Sequence, residues 1–131
     1  MKRGKLTHPG IDPTKSELEI LQLLWEYGPS TVRFVNEKLN QQKREVQYTS
    51  TLKLMQIMVD KKILIRDQSQ MKHIYTAALE EQKTKKMLLE KFVDLIYNGS
   101  ASNLMMQLLG NRNTSKKELD AIRELLEKNK K

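Results

Sequence analysis

The chain has 131 residues, of which 31% are charged and 38% hydrophobic; its net charge is +8 and it contains no cysteine. That length holds one or two small domains, the missing cysteines exclude disulfides, thiolate metal sites and a cysteine nucleophile, and no apolar stretch approaches the roughly 18–20 residues that span a bilayer. The positive excess favours a polyanionic partner, nucleic acid ahead of an anionic membrane.

Residues 1–13 carry Gly4, Pro9, Gly10 and Pro13 without a periodic apolar pattern, and residues 1–9 read as a flexible basic arm. No apolar run follows Met1-Lys2-Arg3, so a secretory signal is not expected and a cytoplasmic location is. Thr14-Lys15-Ser16-Glu17 is a capping box that opens a first helix, with Leu18, Leu21, Leu24 and Trp25 at helical spacing and Gly28-Pro29 as its stop. Ser30-Thr31 offers a second N-cap, and Val32, Val35 and Leu39 give a short amphipathic helix to about Gln41. A third helix is expected from Tyr48 to Lys61. Steps of 100° put Tyr48, Thr51, Leu52, Met55, Met58 and Val59 on an inner face, opposite Thr49, Ser50, Lys53, Gln56, Ile57 and Asp60.

The period then changes. Ile63-Leu64-Ile65-Arg66 suits a strand, Asp67 to Gln70 a turn, and Lys72 to Thr76 a returning strand. Two strands alone are marginal in water, so this hairpin must lean on the helices. Helical spacing resumes after Ala78. Met87, Leu88, Phe92, Val93 and Ile96 mark a long helix that ends near Asn98-Gly99. Leu104, Met105, Leu108 and Leu109 mark a shorter one stopped by Gly110. Ser115 to Glu118 is another capping box, opening a last helix with Leu119, Ile122, Leu125 and Leu126 inward.

The expected fold is mainly α with a small β-hairpin. Residues 10–79 form an N-terminal winged helix-turn-helix and residues 80–131 a helical dimerisation region. The charge is +5 over residues 1–79 (13 basic, 8 acidic) and +3 over residues 80–131 (11 basic, 8 acidic), so the excess tilts toward the N-terminal part. Three short C-terminal helices can bury little alone, and a second copy of the chain is the simplest cover for their apolar stripes. The dimerisation candidates are Leu88, Phe92, Ile96, Leu104, Leu108, Leu119, Ile122 and Leu126.

A helix about 10–12 Å across fits the roughly 12 Å major groove of B-DNA, where its outer side chains meet base edges. Thr49, Ser50 and Lys53 stand at the start of the third helix on that outer face, and Gln56 lies one turn further on, facing a base or only solvent. Thr31 and Arg33, at the start of the second helix, are candidate phosphate contacts. Lys43 and Arg44 are either backbone clamps or a solvated pair of charges. Lys72 on the hairpin is a candidate wing contact, while His73 reads as a surface or packed residue. His73 and His8, far apart and without cysteines, do not suggest a metal site. No Gly-rich phosphate loop or nucleophile motif is present, so neither catalysis nor a cofactor is expected. Trp25 and the methionines read as core. The competing reading is a winged-helix protein-interaction module whose basic face meets an acidic partner.

The run from Tyr48 to Leu64 resembles the recognition helix of the penicillinase-repressor family, the BlaI/MecI/CopY group. Thr14 to Trp25 is similar to that family's first helix, and Thr31-Val32-Arg33 to the start of its second. Tyr97-Asn98-Gly99-Ser100 and the closing stretch from Ser115 to Leu126 resemble its dimerisation region. The likeness covers about residues 10–128. It implies a homodimer that binds a palindromic operator and blocks transcription. The DNA contacts would come from Thr49, Ser50 and Lys53 and from the wing near Lys72, with a dimer built from residues 80–128. Four departures stand out. Lys62 replaces the usual Gly after the recognition helix, so the backbone there must differ or be strained. Ile57 replaces an Arg, and the wing lacks a Gly-Arg pair. Members induced by β-lactams are cut by a regulatory protease at an Asn-Phe bond, where this chain reads Gln107-Leu108. The copper-responsive branch uses C-terminal cysteines, which this chain does not have.

Overall fold

The helix expected after Thr14 is α1 (Lys15–Tyr27) in the computed structural model, which describes residues 12–110 and 115–128. The expectations placed on the arm at 1–9 and on His8 lie outside the described residues, as do those on the side chains of Leu119, Ile122, Leu125 and Leu126. The capping box forms: Glu17 N donates to Thr14 Oγ1 at 3.2 Å and Thr14 N donates to Glu17 Oε1 at 3.0 Å. Gly28 ends the helix at φ +84°, a conformation that favours glycine, with its N–H on Leu24 O at 2.8 Å. Thr31 caps α2 (Val32–Gln42), its hydroxyl accepting from Phe34 N at 3.1 Å. After a short connection comes α3 (Tyr48–Asp60).

Strand β1 (Leu64–Asp67) pairs antiparallel with β2 (Ile74–Ala77), in a register running from Leu64 opposite Ala77 to Asp67 opposite Ile74. Both strands start a residue or two later than the sequence pattern suggests. At the first, Ile63 is taken up in closing α3: its N–H donates to Met58 O at 2.9 Å. Lys62 N donates to Val59 O at 2.9 Å, and Lys62 itself adopts φ +66°. Together these bonds make a Schellman closure with a lysine where glycine is preferred. The hairpin does lean on the helical part. Ser30 and Tyr75 exchange backbone bonds, Ser30 N to Tyr75 O at 3.0 Å and Tyr75 N to Ser30 O at 2.8 Å, and Tyr75 is buried.

The chain divides inside α4 (Glu81–Tyr97) into two compact units, Met1–Met87 and Leu88–Lys131. The first closes a core from three helices and the hairpin: Ile20, Leu21, Leu23 and Leu24 of α1, Val35 and Leu39 of α2, Met55 and Met58 of α3, then Ile63, Leu64 and Tyr75. Trp25 packs against this core, its indole N–H donating to Leu79 O at 3.0 Å. Tyr48 does not join it. The inner-face placement of Tyr48 is corrected: it begins α3, is 44% exposed and lies under the Arg33 guanidinium, 5.9 Å from the ring centroid. The methionines are not all core either, since Met71 is fully exposed.

In the second unit, α4 ends at Asn98 and Gly99, both at positive φ. Ser100 caps α5 (Ala101–Leu109) by accepting from Asn103 N at 3.2 Å. Gln107 and Leu108 lie within the last turn of α5. Ser115 and Glu118 form the second capping box, at 3.1 Å in each direction, before α6 (Lys116–Lys128). Among the described residues of this unit none is buried. Leu89, Phe92, Leu95, Ile96 and Met106 are all exposed, although the rings of Phe92 and Tyr97 approach to 5.9 Å between centroids.

Candidate nucleic-acid interface

The orientation of α3 is set by an asparagine lock on the connection before it. Asn36 Nδ2 donates to Val46 O at 3.1 Å and to Thr51 Oγ1 at 2.8 Å. Asn40 donates to the same carbonyl at 2.9 Å and accepts from Val46 N at 3.1 Å. Thr51 is buried, so this side-chain bond points the helix inward at one position and thereby fixes which residues point out. The lock was not among the features expected from the sequence. Its signal was present as two asparagines at i and i+4 on one helix, a spacing that puts both on one face.

Thr49, Ser50, Lys53, Gln56, Ile57 and Asp60 are all exposed on α3, opposite buried Thr51, Met55 and Met58. Gln47 occupies the N-cap of α3 without a side-chain cap bond. Ser50 N donates to Gln47 O at 3.1 Å, so the N–H groups of Tyr48 and Thr49 are the ones available to an anion or to water.

The other sequence candidates fall into two groups. Thr31 and Arg33 at the start of α2 come together with Lys72 and His73 of the hairpin, lining one cleft of about 340 Å³. Tyr48 and Leu52 of α3, with Val32, Met71 and Tyr75, complete its wall. Lys43 and Arg44 stand elsewhere, at the end of α2. Lys43 is exposed, whereas Arg44 is engaged: its guanidinium reaches Glu19 Oε1 at 3.0 Å and Ser16 Oγ at 3.3 Å. At the far end of α3, Lys61 Nζ donates to both carboxylate oxygens of buried Glu17 at 2.9 Å, tying the end of α3 to the start of α1. At the start of the hairpin turn, the Ser69 backbone N–H donates to Asp67, holding its carboxyl below the ordinary aspartate range.

Among the described residues no group of three or more His, Asp or Glu could hold a metal ion, and no helix is long and apolar enough to cross a membrane. A family model described as penicillinase repressor matches residues 13–128. A comparison with curated proteins gave no match.

Proposed function

The chain belongs to the penicillinase repressor family, whose members are DNA-binding transcriptional repressors, and we propose that this one acts as a homodimer on a palindromic operator in the cytoplasm. The observation that carries this reading is the outer face of α3, where two hydroxyls, a lysine and a glutamine stand exposed opposite a sealed core. Thr49, Ser50 and Lys53 read the major groove, with Gln56 one turn deeper. Hydroxyls and a lysine can meet base edges or phosphates. Thr31, Arg33, Lys43 and Lys72 hold the flanking backbone. Arg44 serves differently: paired with Glu19, it braces the end of α2 and leaves the phosphates to its neighbours.

Dimer formation rests on the second unit. Its exposed Leu89, Phe92, Leu95, Ile96 and Met106 have no core to enter, and a twofold copy supplies one. Leu88, Leu104 and Leu108, half-buried already, border the same surface. Twofold symmetry then puts two copies of α3 in successive major grooves, about 34–36 Å apart.

Selection from a pool of random duplexes, followed by gel shift, tests the reading. Enrichment of an inverted repeat is the expected result; recovery of unenriched sequence, or of no duplex, would overturn it. Lys53→Ala is expected to weaken binding to the selected duplex by about 1–3 kcal/mol. A loss confined to that duplex marks a base contact, and an equal loss on all duplexes marks a phosphate. Binding is also expected to fall steeply with salt as lysine and arginine contacts release counterions.

A further inference from the structure

We propose that the cleft between the starts of α2 and α3 and the hairpin is a binding site for a small aromatic carboxylate. Two features of the cleft point the same way. Its rim carries Arg33, Lys72 and His73, and no acidic side chain lines it, so the site selects an anion. Its floor is apolar. Tyr75 and Val32 are buried beneath it, Leu52 is half-buried, and the Tyr48 ring stands at its side.

A bare phosphate or a DNA strand satisfies the rim and leaves the floor wet. A neutral ring covers the floor and leaves the donors without a charge to meet. A planar ring bearing one carboxylate answers both. The Tyr48 ring already faces one planar group, the Arg33 guanidinium, at 5.9 Å, and a ligand ring can stack against the same surfaces. The volume of about 340 Å³ lies at the lower end of the range for small-molecule sites, about 300–1,000 Å³.

Position gives the site a consequence, which rests on the DNA-contact reading above. Thr31, Arg33 and Lys72 cannot hold a backbone phosphate and a carboxylate at the same time. Occupancy of the cleft therefore competes with the operator, and a metabolite of this class relieves repression without cleavage of the chain.

The test begins with the full-length protein free of DNA, titrated with benzoate while backbone amide resonances are followed. Saturable shifts confined to residues 31–33, 48–52 and 71–75 are expected, with a dissociation constant of about 1 mM or tighter. Benzamide, which lacks the charge, and inorganic phosphate, which lacks the ring, are each expected to bind at least about tenfold more weakly. Arg33→Gln and Lys72→Gln, both at exposed positions that leave the core intact, are each expected to weaken benzoate about fivefold or more. No saturable shift at these residues overturns the proposal, and so does phosphate or benzamide binding as well as benzoate.

A second arm adds benzoate to the protein bound to its selected duplex, where release in proportion to cleft occupancy is expected. Benzoate held in the cleft with the duplex still bound would overturn the competition. If no duplex is bound at any salt concentration, the repressor reading fails on its own, and the amide titration still decides the site.

Discussion

The units on either side of Met87 are built from the same material, short amphipathic helices with capped starts, and they end in different states. In the first, α1, α2 and α3 cross closely enough to seal Leu21, Val35, Met55 and Met58 from water, and Tyr75 of the hairpin plugs the remaining side. In the second, no described residue is buried, and Phe92, Leu95 and Ile96 face outward along α4. The difference lies in closure rather than in composition. A hairpin pinned to Ser30 gives the first unit a lid, and the described residues of the second include no such element. A helix keeps its apolar stripe dry against a third and fourth element or against another molecule. The first unit therefore closes its own core, and the proposed second copy is what would complete the other.

Leu21→Ala is expected to show the largest effect, about 3 kcal/mol of lost stability from a cavity in the sealed unit. The urea midpoint of that unit should fall by the same amount at every protein concentration. Phe92→Ala is the counterpart in the open unit. Its expected cost is about 2 kcal/mol, seen as a roughly 30-fold weaker dimer by sedimentation equilibrium. The stability of the first unit should not change. A concentration-independent loss at Phe92, with the association state unmoved, would break the comparison, because it would mean the second unit closes its own core.

Much of this contrast could be read from residue spacing. The capping boxes at Thr14 and Ser115, the stops at Gly28 and Gly110, and the polar outer face of α3 all follow from local rules, and the structure has them in place. What spacing could not show depends on contacts far apart in sequence. Tyr48 fits the inner stripe by angle, yet it is the first residue of α3 and stands just ahead of buried Thr51, so its ring meets Arg33 and the cleft instead. The pairing of Ser30 with Tyr75 joins residues 45 positions apart, and nothing local marks either as a partner. The grip of Lys61 on Glu17 is equally non-local, although the capping role of Glu17 was legible. The cleft itself is assembled from three elements, so among its lining residues only Thr31, Arg33 and Lys72 stood out beforehand as candidate contacts, each for its own reason.

The Lys61–Glu17 contact sharpens the comparison at a smaller scale. Glu17 is 2% exposed, and its carboxylate accepts from Thr14 N and from Lys61 Nζ. Lys61→Ala removes one donor and leaves a buried charge short of partners. A fully buried pair would lose about 3–5 kcal/mol. The Lys61 side chain is 37% exposed, so water can replace part of what it supplies, and about 1–2 kcal/mol is expected here. Thermal unfolding of the first unit should fall, with the dimer constant unchanged. Exposed pairs such as Lys85–Glu81 should give no more than a few tenths when broken in the same way.

The smallest expected effect has the opposite sign. Lys62 sits at φ +66°, where a Cβ crowds the following carbonyl at a cost of about 1–2 kcal/mol. The two bonds that close α3, from Lys62 N and Ile63 N, hold it there. Lys62→Gly removes the crowding and keeps both bonds. Against this stands the greater freedom of glycine in the unfolded chain, worth up to about 1 kcal/mol. The net expectation is a gain of about 0.5–1 kcal/mol in the unfolding free energy of the first unit, seen as a higher urea midpoint. Asn98, at φ +51° in the second unit, is the control. Asparagine tolerates this region better than lysine does, so Asn98→Gly should change stability by no more than a few tenths of a kcal/mol. If Lys62→Gly lowers the midpoint instead, the long lysine stem must be covering apolar surface at the end of α3. The sealed unit would then extend one residue beyond the helix that was taken to close it.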